Sequence, residues 1–209
     1  ITFYGITGAL IEIIIFLLMS FIVKHNYYAD IDPITYYWSL FSLLTAFWET
    51  CFVINYNTIC NYAAHLQKEN KHVWFSQYSV SMILPWNVAK IFYAEYGAFA
   101  DREYMYKLDD WARIIESTHA LMCGSFLGTS IIIKNNDNER SNILMDVGAG
   151  CQLMNSVLYL GQYVIQCRDK WNINFVTDKF PIRVRYFMLI NIFWTIMPLY
   201  IILNRLGFC

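Results

Sequence analysis

Charge is what this sequence has least of. Only 15% of its 209 residues are Asp, Glu, Lys or Arg, against about 25% in soluble domains. That shortfall excludes a disordered chain and a coiled coil, both of which are rich in charge. A net charge of −1 leaves no basic excess, so no nucleic-acid partner is expected. The six cysteines, Cys51, Cys60, Cys123, Cys151, Cys167 and Cys209, contain no CxxC pair and no Cys/His cluster of zinc spacing. They read as free thiols in apolar surroundings, and neither a metal nor another cofactor is expected. Internal repeats, a glycine-rich phosphate loop, a GxSxG elbow and HExxH are all missing. The sequence starts at Ile1 without a methionine, and a leader is neither inferred nor excluded from that.

What is present is apolar and aromatic: 57% of residues are hydrophobic and 18% are Phe, Trp or Tyr. The hydrophobic residues fall in long blocks, as in an integral membrane protein. Crossing a hydrocarbon core of about 30 Å takes about 20 apolar residues. Five segments qualify: 6–23 with Glu12, 36–56 with Glu49, 111–133 with Arg113 and Glu116, 143–165 with Asp146 and 184–203 with Arg185. All five are expected to be helices, because a lone strand leaves its backbone unsatisfied in lipid. The expected fold is therefore all-α: one transmembrane domain over 1–209, a bundle of five spans.

The connections differ in kind. Residues 24–35 hold a breaker at Asp32-Pro33. Residues 57–110 are long and rich in aromatic and charged side chains, with Trp74 and Trp86 inside 73–99. That composition suits interfacial amphipathic helices and aromatic belts. Residues 134–142 read as a solvated loop, and 168–180 lead to Pro181 at the first turn of the fifth helix. Lys and Arg counts place the N-terminus in the cytoplasm by the positive-inside rule.

Ionisable residues inside a span are costly and usually face the bundle interior. Thr45 and Glu49 share a helical face, as do Glu116 and His119. Gln152, Asn155, Ser156 and Tyr159 form a polar stripe, and Asn191, Trp194 and Pro198 recur at helical spacing. Four helices thus each offer a polar stripe, and a bundle that turns them inward encloses carboxyls, an imidazole, amides and an indole. Plainer alternatives stand beside this reading. Glu116 pairs with Arg113, His119 is a hydrogen-bonded packing residue, the amides join helices, Trp194 faces lipid or core, and Glu12 is structural. Glu49 has no basic neighbour in sequence and is the hardest to explain that way.

Such a cavity suits proton chemistry on an apolar substrate. A carboxyl in a low dielectric stays protonated near neutral pH and can protonate a carbon–carbon double bond. A second group removes a proton elsewhere, and an aromatic face stabilises the intervening cation. An aromatic lining also keeps water out.

These residues resemble the emopamil-binding protein family, the sterol Δ8–Δ7 isomerases and their relatives in the EXPERA superfamily. FPIRVRYFMLINIFWTIMP is similar to that family's Pro, aromatic run and N-x-x-W-x-x-x-P, with Asn191, Trp194 and Pro198. IESTHA resembles M-E-T-x-T-A, with Glu116 at the acidic position. EYGAFADREYM resembles E-Y-x-x-x-D-x-R-Y, carrying Glu95, Tyr96, Asp101 and Tyr104 with a length difference. QLMNSVLY is similar to Q-x-x-G-D-V-L-Y through Gln152 and Tyr159, and TAFWETCFV to H-x-x-x-E-G-x-F-V through Glu49. The resemblance covers about 36–204, with 6–23 as an additional N-terminal helix.

The resemblance implies five helices and a cofactor-free isomerase that moves a double bond in a sterol or related polycyclic terpenoid. In the enzyme reading Glu49 and His119 exchange protons, Glu116 orients His119 or stabilises its charge, and Asn191 hydrogen-bonds a carboxyl. Trp194 and Tyr104 would face the cation, and Thr45, Gln152 and Tyr159 would line the substrate. The resemblance implies residence in the endoplasmic reticulum. The expected partners are a sterol or similar ligand, membrane lipids, and a second copy or a larger membrane assembly. This chain departs from the pattern in a paired way. Thr45 stands where the family has its acid–base histidine, and His119 where it has a threonine, as if the two had exchanged places. Ser156 replaces an aspartate. The missing histidine keeps a second reading open, a sterol- or lipid-binding protein or structural subunit without catalysis.

Overall fold

The computed structural model describes residues 1–28, 30–101, 110–169 and 186–208. It is all-helical apart from one short ribbon, in which β1 (Thr2–Tyr4) pairs antiparallel with β2 (Gln77–Ser79). The helices are α1 (Gly5–Tyr27), α2 (Pro33–Ile54), α3 (Tyr56–Glu69), α4 (Pro85–Glu95), α5 (Asp110–Thr118), α6 (Ser125–Ile133), α7 (Asn138–Asp169) and α8 (Tyr186–Arg205). Wider π turns follow α4 (Tyr96–Ala100) and join α5 to α6 (His119–Gly124).

Local chemistry sets the helix ends. Asp32 Oδ2 accepts the amide of Thr35 at 2.8 Å, so the expected breaker is an N-cap followed by proline in the first turn of α2. Asp137 Oδ1 does the same for the amide of Arg140 at 3.0 Å. This cap lets α7 start at Asn138, so much of the expected loop 134–142 is helical. Asn70 ends α3 in the left-handed region, φ 51°. The amide of Lys71 returns to Leu66 O at 3.0 Å and that of Asn70 to Gln67 O at 3.3 Å, which satisfies carbonyls of the last turn.

Three helices are long and apolar enough to cross a membrane: α1, α2 and residues Asn138–Ile165 of α7. They correspond to the first, second and fourth expected spans. The third, 111–133, is not one uninterrupted α-helix, because the π turn at His119–Gly124 separates α5 from α6. The fifth, 184–203, overlaps α8, while Val184, Arg185 and Pro181 lie outside the described residues.

Two compact units divide the chain. The first contains Ile1–Asp30 and Trp48–Arg113. In it α3 packs on α4, and α1 on α4 and on the turn Val73–Phe75. α3 buries Tyr56, Ile59, Cys60, Ala63 and Leu66, the spacing of a one-sided amphipathic helix. Phe52, fully buried, stacks on Tyr93 with ring centroids 4.8 Å apart. Glu95 fastens this unit: its Oε1 lies 2.6 Å from His72 Nδ1, and its Oε2 accepts the buried amide of Val73 at 3.0 Å. The stretch 57–110 contains most of α3 and all of α4, and the ribbon between β1 and β2 was not legible in the sequence pattern.

The second unit contains Ile31–Phe47 and Ile114–Cys209. Here α7 packs against α6, α8 and the turn His119–Gly124. Leu127, Ile131, Ala149 and Ile201 form its buried apolar centre. Gly124 lets the π turn meet α2: a Cβ there would stand 2.3 Å from that of Ala46 and 2.4 Å from Ser42 O. Gly128, one turn on, rides over Leu43. Gly124 and Gly128 form the small-xxx-small pattern of close membrane helices, a signal present in the sequence and overlooked in its reading.

Candidate functional site

The second unit gathers three of the expected site residues, His119, Gln152 and Trp194. His119 opens the π turn after α5, and such turns inside helices are often found at functional sites. Its imidazole is buried and lies 2.9 Å from Gln152 Nε2. Gln152, fully buried in mid α7, also donates from Nε2 to Ser42 Oγ at 3.0 Å. Its Oε1 accepts the indole N–H of Trp38 at 2.8 Å.

These contacts fix the proton on the imidazole. An indole nitrogen only donates, so Trp38 holds the amide oxygen of Gln152 on its own side. The amide NH2 then faces Ser42 and His119, and donates to both. Nε2 of His119 is therefore an acceptor, and the neutral ring carries its proton on Nδ1. A doubly protonated ring would set an N–H against the amide NH2.

Trp194 closes the cluster from α8. It meets the imidazole edge-on, with centroids 4.9 Å apart and planes at 85°. It stacks on Phe41 at 5.7 Å and 20°, and tilts against Trp38 at 4.8 Å. An imidazole of fixed tautomer thus sits against Trp194, which in turn packs on Phe41 and Trp38. Trp38, Phe41 and Ser42 were missed in the sequence, although spacings of three and four place them on the face of Thr45. The expected stripe on α2 began one turn too late.

The other expected residues divide. Thr45 is buried and spends its hydroxyl on its own helix, donating towards Phe41 O at 3.2 Å and Ser42 O at 3.0 Å. Ser42, three residues before it, is the link to Gln152 and so to His119. Glu116 is half-buried one turn before His119 on α5. Asn191 and Tyr159 are half-buried on α8 and α7. Tyr104 lies outside the described residues. Arg113, one alternative partner for Glu116, donates to Asp110 at 3.2 Å and lies over the ring of Tyr56 at 4.8 Å.

The rest of the α7 stripe joins helices. Asn155 donates to Ile115 O and Thr118 Oγ1, both at 3.1 Å, and Ser156 meets Thr195 Oγ1 at 2.7 Å. In the first unit, Glu49 is buried on the last turns of α2. Glu12 there accepts the indole N–H of Trp48 at 3.1 Å, a partner the sequence did not reveal. Among the described residues, no group of three or more His, Cys, Asp or Glu side chains could hold a metal ion.

Comparison with family models, curated proteins and solved structures gives no match to this chain.

Proposed function

We propose that this chain is a divergent member of the emopamil-binding protein family, a five-span protein of the endoplasmic reticulum membrane. Its function is to move a double bond in a sterol or related polycyclic terpenoid by protonation and deprotonation. The observation that carries this reading is His119. It is buried, held in one tautomer by Gln152, and set against the indole of Trp194. In this reading a carboxyl supplies the proton that makes the carbocation and Nε2 of His119, released by Gln152, takes the proton that leaves it; general acid–base help of that kind is worth about 10²–10⁴-fold. The ring faces of Trp194 and its neighbours stabilise the carbocation without trapping it. Glu116 supports the charge on His119, and Asn191 and Tyr159 contribute polar contacts. The exchange of residue types between positions 45 and 119 fits this assignment, since Ser42 and Gln152 connect the two.

The test is direct. Purified full-length protein is incubated with a Δ8-sterol and the Δ7 product is sought. Turnover that falls about 10²-fold or more in His119→Ala supports the reading. Full activity in that variant overturns the role of His119.

A second reading rests on Thr45. Its hydroxyl proton is committed to backbone carbonyls of α2, so the position of the family's acid–base histidine offers no mobile proton. On this reading the protein binds sterol or lipid without converting it. Saturable sterol binding without product formation, in wild type and in Thr45→His, favours it.

A further inference from the structure

At one end of the second unit, α6 ends, α7 begins and α8 ends around a single oxygen atom. Asn142 Oδ1 accepts from Lys134 Nζ at 2.9 Å and from Arg205 Nη1 at 3.1 Å. Two cations thus share one neutral acceptor. Asp146 answers only one of them: it takes Arg205 by both carboxylate oxygens, from Nε and from Nη2. Lys134 has no acidic partner among the described residues. Arg140 and Asp137 pair with each other at 3.1 Å and cancel. The side chains joined at Asn142, namely Lys134, Arg205 and Asp146, therefore carry one positive charge in excess, and Glu139, exposed on the first turn of α7, pairs with neither cation.

Its donors are not exhausted. An ammonium has three N–H groups and a guanidinium five. The contacts above use one on Lys134 and three on Arg205. Burial, and then the Arg205 charge, push the Lys134 ammonium below the ordinary lysine range, as expected where like charges are crowded.

The surroundings are apolar. Ile132, Ile143, Val147, Leu199 and Leu206, all exposed, flank the cluster in sequence on the same three helices or just past the end of α8. Charge at a helix end with exposed aliphatic side chains beside it matches one ligand chemistry: a phosphate with acyl chains attached.

We infer that Lys134 and Arg205 form a seat for the phosphodiester of an anionic phospholipid, whose chains run along the exposed aliphatic side chains of α7 and α8. A phosphatidylglycerol headgroup carries the single negative charge the cluster lacks. Oxygens of its phosphate would accept the spare N–H groups in charge-assisted hydrogen bonds. The seat is independent of any activity at His119.

The test uses the purified full chain in detergent. Melting is followed with phosphatidylglycerol, with phosphatidylcholine, or with inorganic phosphate. The expected result is a rise in melting temperature with phosphatidylglycerol alone. Lys134→Gln, which keeps a donor for Asn142 but removes the charge, should bind that lipid about tenfold more weakly. Lys134→Arg should retain it. An undiminished phosphatidylglycerol response in Lys134→Gln overturns the proposal. So does an equal response to inorganic phosphate, because the seat would then take a free anion, or to phosphatidylcholine, because the net charge would then not matter.

Discussion

The amide nitrogen of Gln152 stands 2.9 Å from Nε2 of His119, while its oxygen stands 2.8 Å from the indole nitrogen of Trp38. One amide thereby reads a donor on one side and sets an acceptor on the other. The orientation of a glutamine decides the tautomer of a histidine. Replacing Gln152 by Glu inverts this, because a carboxylate only accepts. Nitrogen NMR of histidine-labelled protein should show the Nδ1–H tautomer in the wild type. In Gln152→Glu it should show a proton on Nε2. An unchanged tautomer would break the link between the two residues.

The close approach of Gly124 to α2 makes a steric prediction. In Gly124→Ala the new methyl meets the Cβ of Ala46 and the carbonyl of Ser42, and neither moves without moving α2. The expected loss is about 1–3 kcal/mol, read as a lower thermal unfolding midpoint in detergent. Gly128→Ala meets only the side chain of Leu43 and should cost less. Adding Ala46→Gly to Gly124→Ala should restore part of the loss, because the Ser42 carbonyl remains.

Glu95 makes a prediction within the first unit. Glu95→Ala strands the amide of Val73, a fully buried residue, and removes the partner of His72. An orphaned buried donor costs about 1–3 kcal/mol. Glu95→Gln retains an acceptor for the Val73 amide and should recover part of that stability. Equal melting of Glu95→Ala and wild type would refute the fastening role.

Tyr78 predicts a pH dependence. Burial, and then the hydroxyl of Tyr62 at 2.7 Å, hold its phenol above the ordinary tyrosine range. The folded chain keeps this proton to higher pH than the unfolded chain does. Its contribution to stability is therefore complete below about pH 10 and declines as pH rises above it. Tyr78→Phe cannot ionise, so its melting temperature should fall less steeply over that alkaline range. Parallel decline in both proteins would remove Tyr78 from the account.

Cys60 carries a prediction of the same sign. Burial in α3 raises its thiol above the usual range, which lowers the thiolate fraction available as nucleophile. Alkylation at about pH 8 should be slow in the folded protein and fast in denaturant. Rapid labelling of the folded chain at Cys60 would contradict its burial.

Much of this molecule is local in origin and was legible in order. Long apolar blocks are readable because a membrane demands about 20 residues per span, and α1, α2 and α7 satisfy that length. The buried positions of α3 repeat with the helical period, a pattern that the aromatic and charged composition of 57–110 did not single out. Gln152, His119 and Trp194 stood out because polar residues are rare within such blocks. Trp38 did not stand out, since a tryptophan among many aromatics carries no mark until a partner for its N–H is known. Glu12 looked solitary for the same reason, because Trp48 lies 36 residues away.

The sequence by itself determined the class of protein: helices apolar enough for a membrane, with a few ionisable side chains inside them. Hydropathy and periodicity are properties of consecutive residues, so no tertiary knowledge is needed to read them. Only the tertiary structure decided which of those polar residues meet. Gln152 reaches His119 across 33 positions, Trp38 across 114 and Ser42 across 110. A hydrogen bond depends on position and direction to within a fraction of an ångström. Helix packing sets that geometry, here through the contact that Gly124 permits, and no spacing along the chain encodes it.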